Sequence, residues 1–195
     1  MSHYYSEKQD SALNLKKIKI RIKCLDLEFY TGSGVFSKKG LDKGTEILLE
    51  HCIADNDWRI LDLGCGIGVV GVVLKKLYPK AKIEMTDINE RAVKLAEMNV
   101  KLHKMDNKVY KSDLFQNIEG QFDAIIANPP QTAGKQVCFK LIEQSKEHLA
   151  KDGTLQIVAR HKKGGEDLSK KMQQVFGNVD VLGKKAGYRV YVSRR

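Results

Sequence analysis

Apolar and polar positions along this chain follow two alternating periods from residue 41 onward. Short apolar runs are typical of buried strands, and apolar positions three and four residues apart are typical of amphipathic helices. The first pattern predicts strands at 58–63, 81–86, 108–110, 122–127 and 154–159. The second predicts helices at 42–54, 69–78, 89–103, 135–150 and about 168–176. Repeated strand–helix units of this kind predict an α/β protein with a doubly wound, mostly parallel sheet.

The two ends of the chain depart from this alternation. The loop between the apolar runs 179–182 and 188–192 is too short for a crossover helix, so these runs are expected to pair antiparallel. Residues 16–23 and 25–30 predict a small β-hairpin beside the main sheet. We therefore expect a single domain over 1–195, with an N-terminal tail and hairpin extension at 1–40. Residues 41–195 then form a seven-stranded Rossmann-like core that ends in an antiparallel hairpin.

Basic residues outnumber acidic ones by 34 to 24 and give a formal net charge of +10. Such an excess is expected of a protein that binds nucleic acid. Lys17, Lys19, Arg21 and Lys23 alternate with isoleucines, which places these cations on one face of the predicted first strand. Lysines on an edge strand also prevent aggregation, so an ordinary solvated face remains an alternative. Further basic clusters are Lys38-Lys39, Lys162-Lys163, Lys184-Lys185 and Arg194-Arg195.

Other properties of the sequence argue against several classes of protein. No apolar run reaches the length of a membrane span, and the N-terminus lacks the apolar core of a signal peptide. The four cysteines are scattered without a Cys-x-x-Cys pair, and the histidines lack the spacing of metal ligands. We therefore expect a reduced, cytoplasmic protein that binds neither a membrane nor a metal ion.

The segment Asn128-Pro129-Pro130-Gln131 directly follows the apolar run 122–127. It is therefore predicted to lie at the carboxyl end of a strand, where open α/β sheets bind their ligands. Prolines donate no backbone hydrogen bond, so their carbonyls and the Asn128 amide oxygen form a set of acceptors suited to a planar –NH₂ group. Acceptors that hold both N–H bonds let the nitrogen lone pair attack an electrophile. An ordinary turn is the alternative, because Asn-Pro favours turns.

Glycines alternate in a second segment, 64–68, between a predicted strand and a predicted helix. They allow a tight turn and a close approach of a ligand to the backbone, beside a helix N-terminus with free N–H groups. The spacing Gly66-x-Gly68-x-x-Gly71, with Asp87 about 20 residues later, also matches the dinucleotide-binding fingerprint. Asp62 argues against that interpretation, because a carboxylate at the strand end favours a cationic ligand group and repels a pyrophosphate.

Together these motifs resemble those of a known family. The spacing Asp62-x-Gly64-x-Gly66-x-Gly68 resembles motif I of the class I S-adenosylmethionine (SAM) methyltransferases. The segment Gly34-Val35-Phe36-Ser37, followed by Leu41-Asp42-Lys43-Gly44, resembles a signature of the small-type (MTS) ribosomal RNA guanine-N2 methyltransferases. The segments around Asp87, Asp113 and Asn128 follow in that family's order, and residues 3–7 are similar to the start of its archaeal single-domain members.

The resemblance implies a SAM cofactor and the residues that bind it. Asp62 faces the ammonium group or holds the glycine loop, Asp87 binds the ribose hydroxyls, and Asp113 binds the adenine amino group. The expected cofactor contacts are Asp62, Gly64, Cys65, Gly66, Gly68, Asp87, Ile88, Asp113, Leu114 and Asn128. The expected catalytic residues are Asn128, Pro129 and Pro130. The expected substrate contacts are Tyr4, Tyr5, Lys19, Arg21, Phe36 and Gln131, where Gln131 replaces an aromatic residue found in many relatives.

The expected function is transfer of a methyl group from SAM to an exocyclic amine of an RNA base, with guanine N2 of ribosomal RNA as the first expectation. Cytosine N4 and the amide of a protein glutamine carry the same kind of nitrogen and remain alternatives. The glycine fingerprint leaves a dinucleotide-dependent oxidoreductase open. The basic charge alone would also fit an RNA-binding module without catalytic activity.

Overall fold

The computed structural model of the protein describes residues 13–35, 40–129 and 134–195. Five of the candidate site residues lie outside these described residues: Tyr4, Tyr5, Phe36, Pro130 and Gln131. The roles expected of these five stay predictions.

The N-terminal hairpin forms as predicted. Strand β1 (Lys16–Ile22) pairs antiparallel with strand β2 (Leu25–Thr31), and its isoleucines face the core while its cations face solvent. The sequence pattern also places Lys23 in the cationic row of β1, and this prediction is wrong. Lys23 lies in the turn after the strand, where its φ is 52°. The row therefore ends with Arg21.

The described residues also form a main sheet of seven strands in the order β5-β4-β3-β6-β7-β9-β8. The strands are β3 (Arg59–Leu63), β4 (Lys82–Asp87), β5 (Lys108–Lys111), β6 (Phe122–Ala127), β7 (Leu149–Arg160), β8 (Asp180–Lys185) and β9 (Tyr188–Arg194). Pairing is parallel from β5 to β7 and antiparallel where β9 joins β7 and β8. The predicted doubly wound sheet with a C-terminal hairpin is confirmed.

Helices connect these strands where the apolar spacing predicts them. They are α1 (Lys43–His51), α2 (Val69–Leu77), α3 (Glu90–Leu102), α4 (Lys135–His148) and α5 (Glu166–Phe176). The Asp42 side chain caps α1 by accepting a hydrogen bond from the Thr45 amide, and Asn89 caps α3 by accepting one from the Arg91 amide. A side-chain cap of this kind stabilises a helix by about 1 kcal/mol.

Helices cover both faces of the sheet, which explains why its central strands have apolar side chains on both faces. Ile60 and Ile126 belong to the core that α1, α2, α3 and the N-terminal hairpin share. Leu61 and Ile125, their neighbours in sequence, belong to the core under α4 and α5. All four side chains are fully buried, and each contributes roughly 1.5–3 kcal/mol to stability. The two central strands, β3 and β6, are therefore fixed from both sides.

Strand β7 differs from its prediction. The sequence predicts a strand that opens near Gly153, but β7 begins at Leu149 and has an irregularity in its pairing with β6. A side chain at Gly153 would lie 2.9 Å from the carbonyl oxygen of Phe122. The glycine therefore permits close pairing within the strand instead of starting it, and the preceding helix ends at His148.

The strand order creates a switch point between β3 and β6. The chain adds β4 and β5 on one side of β3, then returns to β6 on its other side and continues to β7 and the hairpin. The carboxyl ends of the parallel strands all lie at one edge of the sheet, called here the carboxyl edge. A crevice at such a switch point is where open α/β sheets bind ligands.

Candidate active site

The glycine loop, residues 64–68, crosses the carboxyl edge between β3 and α2. The amides of Gly64 and Cys65 both donate to the carbonyl oxygen of Thr86 in β4, at 2.8 and 2.9 Å. Gly64 has a φ of 76° and is exposed, and a side chain there would meet no atom within 4 Å. Gly68 has a φ of 86°, and a side chain there would collide with Met85 at 2.5 Å. The loop thus needs glycine for its conformation and leaves open space above Gly64.

Asp62 lies buried beneath this loop, with 3% of its surface exposed. Its Oδ2 accepts a hydrogen bond from the Gly71 amide in the first turn of α2, at 2.9 Å. Asp62 thereby holds the first turn of α2, the helix that follows the glycine loop. Its expected roles toward the loop and the ammonium group stay predictions. Burial raises the pKa of Asp62 to about 7, and the charge of Asp87 adds to the increase.

Asp87 ends β4 and also supports the loop. Its two carboxylate oxygens accept hydrogen bonds from the amides of Gly66 and Asn89, each at 2.9 Å. The residue is 6% exposed, and burial raises its pKa although these amides oppose the increase. Asp87 therefore has a structural function that the sequence did not indicate, and its expected contact with the ribose stays a prediction.

The remaining expected cofactor contacts lie along the same edge. Asp113 is exposed just after β5, and its carbonyl oxygen accepts the Gln116 amide at 3.1 Å. Leu114 and Ile88 are half-buried, and Leu114 has an unusual φ of 48°. Cys65 is buried, and burial raises the pKa of its thiol well above the ordinary value. A buried thiol of this kind is a poor nucleophile.

Asn128 follows β6 at the switch point, and its amide group is held in one orientation. Its Nδ2 donates to Oδ2 of Asp42 at 3.0 Å and to Oγ1 of Thr45 at 2.9 Å. Both of its amide hydrogens are therefore used. Among the described residues no donor reaches its Oδ1, and Asn128 and Pro129 are both half-buried. The amide oxygen is thus an available acceptor at the carboxyl edge.

Gly44 makes the close approach of Asn128 to helix α1 possible. A side chain at Gly44 would lie 3.2 and 3.3 Å from the two amide atoms of Asn128 and 3.0 Å from Oδ2 of Asp42. These distances are shorter than ordinary van der Waals contacts between such atoms. The spacing of Asp42, Gly44 and Thr45 in the first turn of α1 therefore forms a seat for the Asn128 side chain.

Comparison with known proteins identifies the class to which this site belongs. The model of the methyltransferase small domain family matches residues 26–192. The chain belongs to this family. Methyltransferases of the family use SAM as the methyl donor. The dinucleotide-dependent oxidoreductase that the glycine fingerprint left open is therefore excluded as the family of this chain.

Several individual proteins are similar to this methyltransferase. The uncharacterized protein YbxB of Bacillus subtilis is 38% identical over 99% of this chain and 98% of its own length. The ribosomal RNA small subunit methyltransferase C of Haemophilus influenzae is 40% identical over 85% of this chain. The methyltransferase spans about half of that relative, at 51% of its length.

The fold of this chain is also similar to those of solved structures. The T. thermophilus 16S rRNA N2 G1207 methyltransferase, in complex with AdoMet and guanosine, superposes with a TM-score of 0.80 at 20% identity. The match covers 96% of this chain and 52% of that protein. The methyltransferase therefore has the Rossmann-like fold that the sequence predicts.

The groups at the glycine loop fit SAM. Two buried carboxylates, Asp62 and Asp87, lie under the loop, and the charge of one raises the pKa of the other. A buried pair of this kind is stabilised by a nearby cation and destabilised by a pyrophosphate. The open space above Gly64 provides room for a ligand beside them. The ammonium and sulfonium groups of SAM supply the cationic charge that this arrangement favours.

The cationic row of the N-terminal hairpin faces acidic residues of its partner strand. Lys17 approaches Glu28 at 3.6 Å, and Arg21 approaches Asp26 at 3.7 Å. Lys19 lies directly opposite Glu28 in the strand pairing. The positive charge of this face is therefore partly compensated. RNA contacts by Lys19 and Arg21 stay predictions.

Sequence reasoning missed Asn99 as part of the site. Asn99 is fully buried in α3, accepts a hydrogen bond from the Tyr30 amide at 2.7 Å, and donates to the carbonyls of Tyr30 at 3.0 Å and Ile67 at 2.8 Å. It therefore joins β2 to the glycine loop. The signal was present, because Asn99 is a polar residue on the apolar face of a predicted helix.

Residues 13–35, 40–129 and 134–195 show neither a metal-binding cluster nor a membrane-spanning helix. Those ranges contain no cluster of His, Cys, Asp and Glu side chains that could hold a metal ion. No helix within them combines the length and hydrophobicity that a membrane span requires.

Proposed function

We propose that this methyltransferase transfers a methyl group to an exocyclic amine of a base in RNA, with guanine N2 of small-subunit ribosomal RNA as the target. The names of similar proteins support this proposal: the relatives from Haemophilus influenzae are small-subunit ribosomal RNA methyltransferases, and the T. thermophilus structure contains guanosine. The net charge of +10 supports RNA as the partner. Cytosine N4 carries the same kind of nitrogen and is the alternative target.

One observation carries the proposal: the Asn128 amide is oriented so that its oxygen is the available group. Asp42 and Thr45 take both of its hydrogens, which leaves Oδ1 to accept from a substrate. The lone pair of an exocyclic amine is delocalised into the base, so the nitrogen is a weak nucleophile. Acceptors for its N–H bonds favour the pyramidal form whose lone pair can attack. In this proposal Oδ1 of Asn128 and the carbonyl of Pro129 are those acceptors.

The carboxylate of Asp42 adds to this effect. It accepts a hydrogen bond from Asn128 Nδ2 at 3.0 Å, which polarises the amide and places more negative charge on Oδ1. Oδ1 then binds the amine hydrogens more strongly as positive charge develops on the attacking nitrogen. Stabilisation of developing charge by preorganised groups is the largest contribution in many enzymes.

The two reactants are brought together by the sheet topology. Strands β3 and β6 are neighbours, with Leu63 paired to Ala127, so the glycine loop and Asn128 follow adjacent strand ends. Residues of the loop, with Asp87 and Asp113, would hold SAM, which supplies an electrophilic methyl group when bound. Holding the amine and the methyl donor side by side replaces an encounter of two molecules in solution.

The proposal is tested by methyl transfer from labelled SAM to small-subunit ribosomal RNA prepared from cells that lack the gene. The RNA is then digested to nucleosides and analysed by mass spectrometry. We expect N2-methylguanosine, and much slower labelling with Asn128→Ala. N4-methylcytidine would favour the alternative base. Label on ribosomal-protein glutamine instead of RNA would overturn the proposal, as would wild-type protein that binds SAM but methylates no RNA.

A further inference from the structure

A basic groove of about 500 Å³ lies at the carboxyl edge, on the opposite side of Asn128 from the glycine loop. One wall is the irregular turn His161–Gly165 that follows β7, and the other is the turn of the β8–β9 hairpin. The groove is lined by the cations Arg160, Lys162, Lys163, Lys184, Lys185 and Arg189. The sequence showed two of these lysine pairs as separate clusters. The fold places them side by side.

The walls of the groove are fixed to each other. The His161 amide donates to the carbonyl oxygen of Gly187 at 3.0 Å, which joins the two turns. The His161 ring nitrogen Nδ1 lies 2.9 Å from the hydroxyl of Tyr191, a fully buried residue. A side chain at Gly165 would lie 2.7 Å from the Arg160 carbonyl oxygen, so the turn folds tightly onto the end of β7. The groove is therefore a preformed feature of the fold.

The positive charge of the groove is mostly uncompensated. Lys185 pairs with Glu50 at 2.8 Å and lies 4.0 Å from Glu46. Within the described part of the chain, the other five lining cations have no carboxylate within ion-pair distance. Arg160 instead places its guanidinium over the ring of Tyr188, at 5.1 Å from the centroid. The face of β1, in contrast, has acidic partners for its cations.

The groove lies beside the candidate active site. Strand β6 pairs with β7 through Ala127 and Ile157, so Asn128 and Arg160 follow neighbouring strands toward the same edge. Arg160 pairs with Tyr188, and Tyr188 pairs with Lys185. Adjacent strands lie about 5 Å apart, so the hairpin turn is on the order of 10–15 Å from the end of β6. This distance is within the length of a few nucleotides.

We propose that this groove binds the phosphate backbone of the RNA strand that presents the target base at Asn128. The inference rests on the proposed function and adds the surface that positions the substrate. Phosphates are the ligands that a row of unpaired lysines and arginines attracts most strongly in RNA, and such contacts determine register without reading sequence. A base must leave its stack to reach an active site, and backbone contacts on the flanking nucleotides hold the strand while it does.

The test compares two triple variants that remove the same charge. Lys162, Lys163 and Lys184 are changed to Ala in the groove variant. Lys80, Lys82 and Lys151, which are exposed near the opposite edge and have no ion pair among the described residues, are changed to Ala in the control. Binding of a fluorescein-labelled 20-nucleotide polyuridylate is measured by anisotropy over a series of salt concentrations. SAM affinity is measured by calorimetry on the same proteins.

The plot of log K against log[salt] should be less steep for the groove variant, by about 2 units of slope. Each lost phosphate contact on a single strand accounts for about 0.7. At low salt its RNA affinity should be at least roughly tenfold weaker, and its SAM affinity unchanged. The control should bind RNA like the wild type. Methyl transfer to ribosomal RNA should then fall for the groove variant through a higher KM with little change in kcat.

The outcomes separate this inference from the proposed function. If the two variants bind RNA equally well, the groove does not bind the RNA backbone. If the wild type is still an active enzyme, the proposed function stands. A wild type that methylates no RNA, with the groove variant still weaker in binding, overturns the function and not the groove. Competition by polyglutamate as strong as that by polyuridylate at equal charge would assign the groove to an acidic protein. If removal of the charges of Lys17, Lys19 and Arg21 weakens RNA affinity more than the groove variant does, the RNA binds the N-terminal hairpin instead.

Discussion

The side-chain nitrogen of Asn128 donates a hydrogen bond to Asp42, the residue that caps helix α1, across 3.0 Å. A single carboxylate oxygen thereby starts a helix and orients an amide 86 residues away in sequence. This relationship makes the direction of the Asn128 oxygen a property of the fold. Substitutions at Asp42 or Gly44 can therefore change the orientation of the amide, whereas substitutions at Asn128 change its chemical identity.

Replacing Asn128 with Ala removes the acceptor and should lower methyl transfer by about two to three orders of magnitude, the loss seen when one preorganised polar group is removed. Single-turnover transfer to unmodified ribosomal RNA measures this rate. The fold and SAM affinity should be largely retained, because the hydrogen bonds of this side chain go to Asp42 and Thr45 and not to the glycine loop. Equal transfer rates for the variant and the wild type would remove Asn128 from the mechanism.

Asn128→Asp is the companion variant. It keeps an acceptor oxygen, so the sequence alone suggests a mild change, but the structure argues for a severe one. The new carboxylate would lie about 3 Å from that of Asp42 and would donate no hydrogen bond to it. We expect a transfer rate as low as that of the Ala variant and a measurable recovery at low pH, where one carboxyl is protonated.

Substitutions at Asp42 separate its two roles. Asp42→Asn retains an oxygen that can accept from both Thr45 and Asn128, whereas Asp42→Ala removes the helix cap and one of the two hydrogen bonds that orient the amide. The Ala variant should lose about 1 kcal/mol of stability and roughly 10²-fold in kcat, because misplacement of a reacting group has this scale. The Asn variant should recover the stability and most of the rate. If both variants keep the kcat of the wild type, Asp42 acts only as a cap.

Gly44→Ala changes no polar group and tests the seat that Asp42, Gly44 and Thr45 form for the Asn128 side chain. The new methyl group would lie 3.2 Å from Oδ1 and 3.3 Å from Nδ2 of Asn128, so the Asn128 side chain must move by a few tenths of an ångström. We expect methyl transfer to fall while stability stays within about 1 kcal/mol of the wild type, since Ala favours the helix. An unchanged kcat, measured with saturating SAM and RNA, would show that this seat tolerates the displacement.

The pH dependence of stability should report the buried carboxyl of Asp62. Its pKa is about 7 in the folded protein against an ordinary 3.8, so between these values the folded protein keeps a proton that the unfolded chain has lost. Stability from this group is therefore lost as pH rises from about 4 to about 7 and is constant above that. Each pKa unit corresponds to about 1.4 kcal/mol, which sets a scale of a few kcal/mol.

Urea unfolding at pH 5 and pH 8, without SAM, checks this prediction. Asp62→Asn keeps an oxygen that can accept from the Gly71 amide and removes the titration. The free energy of unfolding of the variant, relative to that of the wild type, should be higher at pH 8 than at pH 5. A constant difference between the two proteins would mean that Asp62 stays ionised in the fold.

Much of the fold could be predicted because its strands are short apolar runs and its helices have apolar spacing. The limits of β7 could not, since they depend on the contact of Gly153 with Phe122, a neighbour in space and not in sequence. The turn at Lys23 escaped the strand pattern for a related reason. Alternation of Lys and Ile continues to that residue, but the pairing of β1 with β2 ends before it.

For the candidate site, sequence motifs located the strand ends but not the contacts between them. Asp62 and Asp87 were expected near a ligand, and the structure shows both also bonded to backbone amides of the loop and helix. The partnership of Asp42 with Asn128 joins two motifs that are distant in sequence. The basic groove likewise combines two lysine pairs that meet only through the pairing of β7, β9 and β8.

The three hydrogen bonds of Asn99 have a consequence for how the protein unfolds. Tyr30 in the hairpin and Ile67 in the glycine loop share this one buried amide, so separation of either segment leaves polar groups unpaired in the core. The hairpin and the loop should therefore open together as one cooperative unit, with similar hydrogen-exchange protection. A fragment that begins at residue 41 would have every strand of the main sheet and yet leave the buried Asn99 amide without its two Tyr30 partners beside the glycine loop.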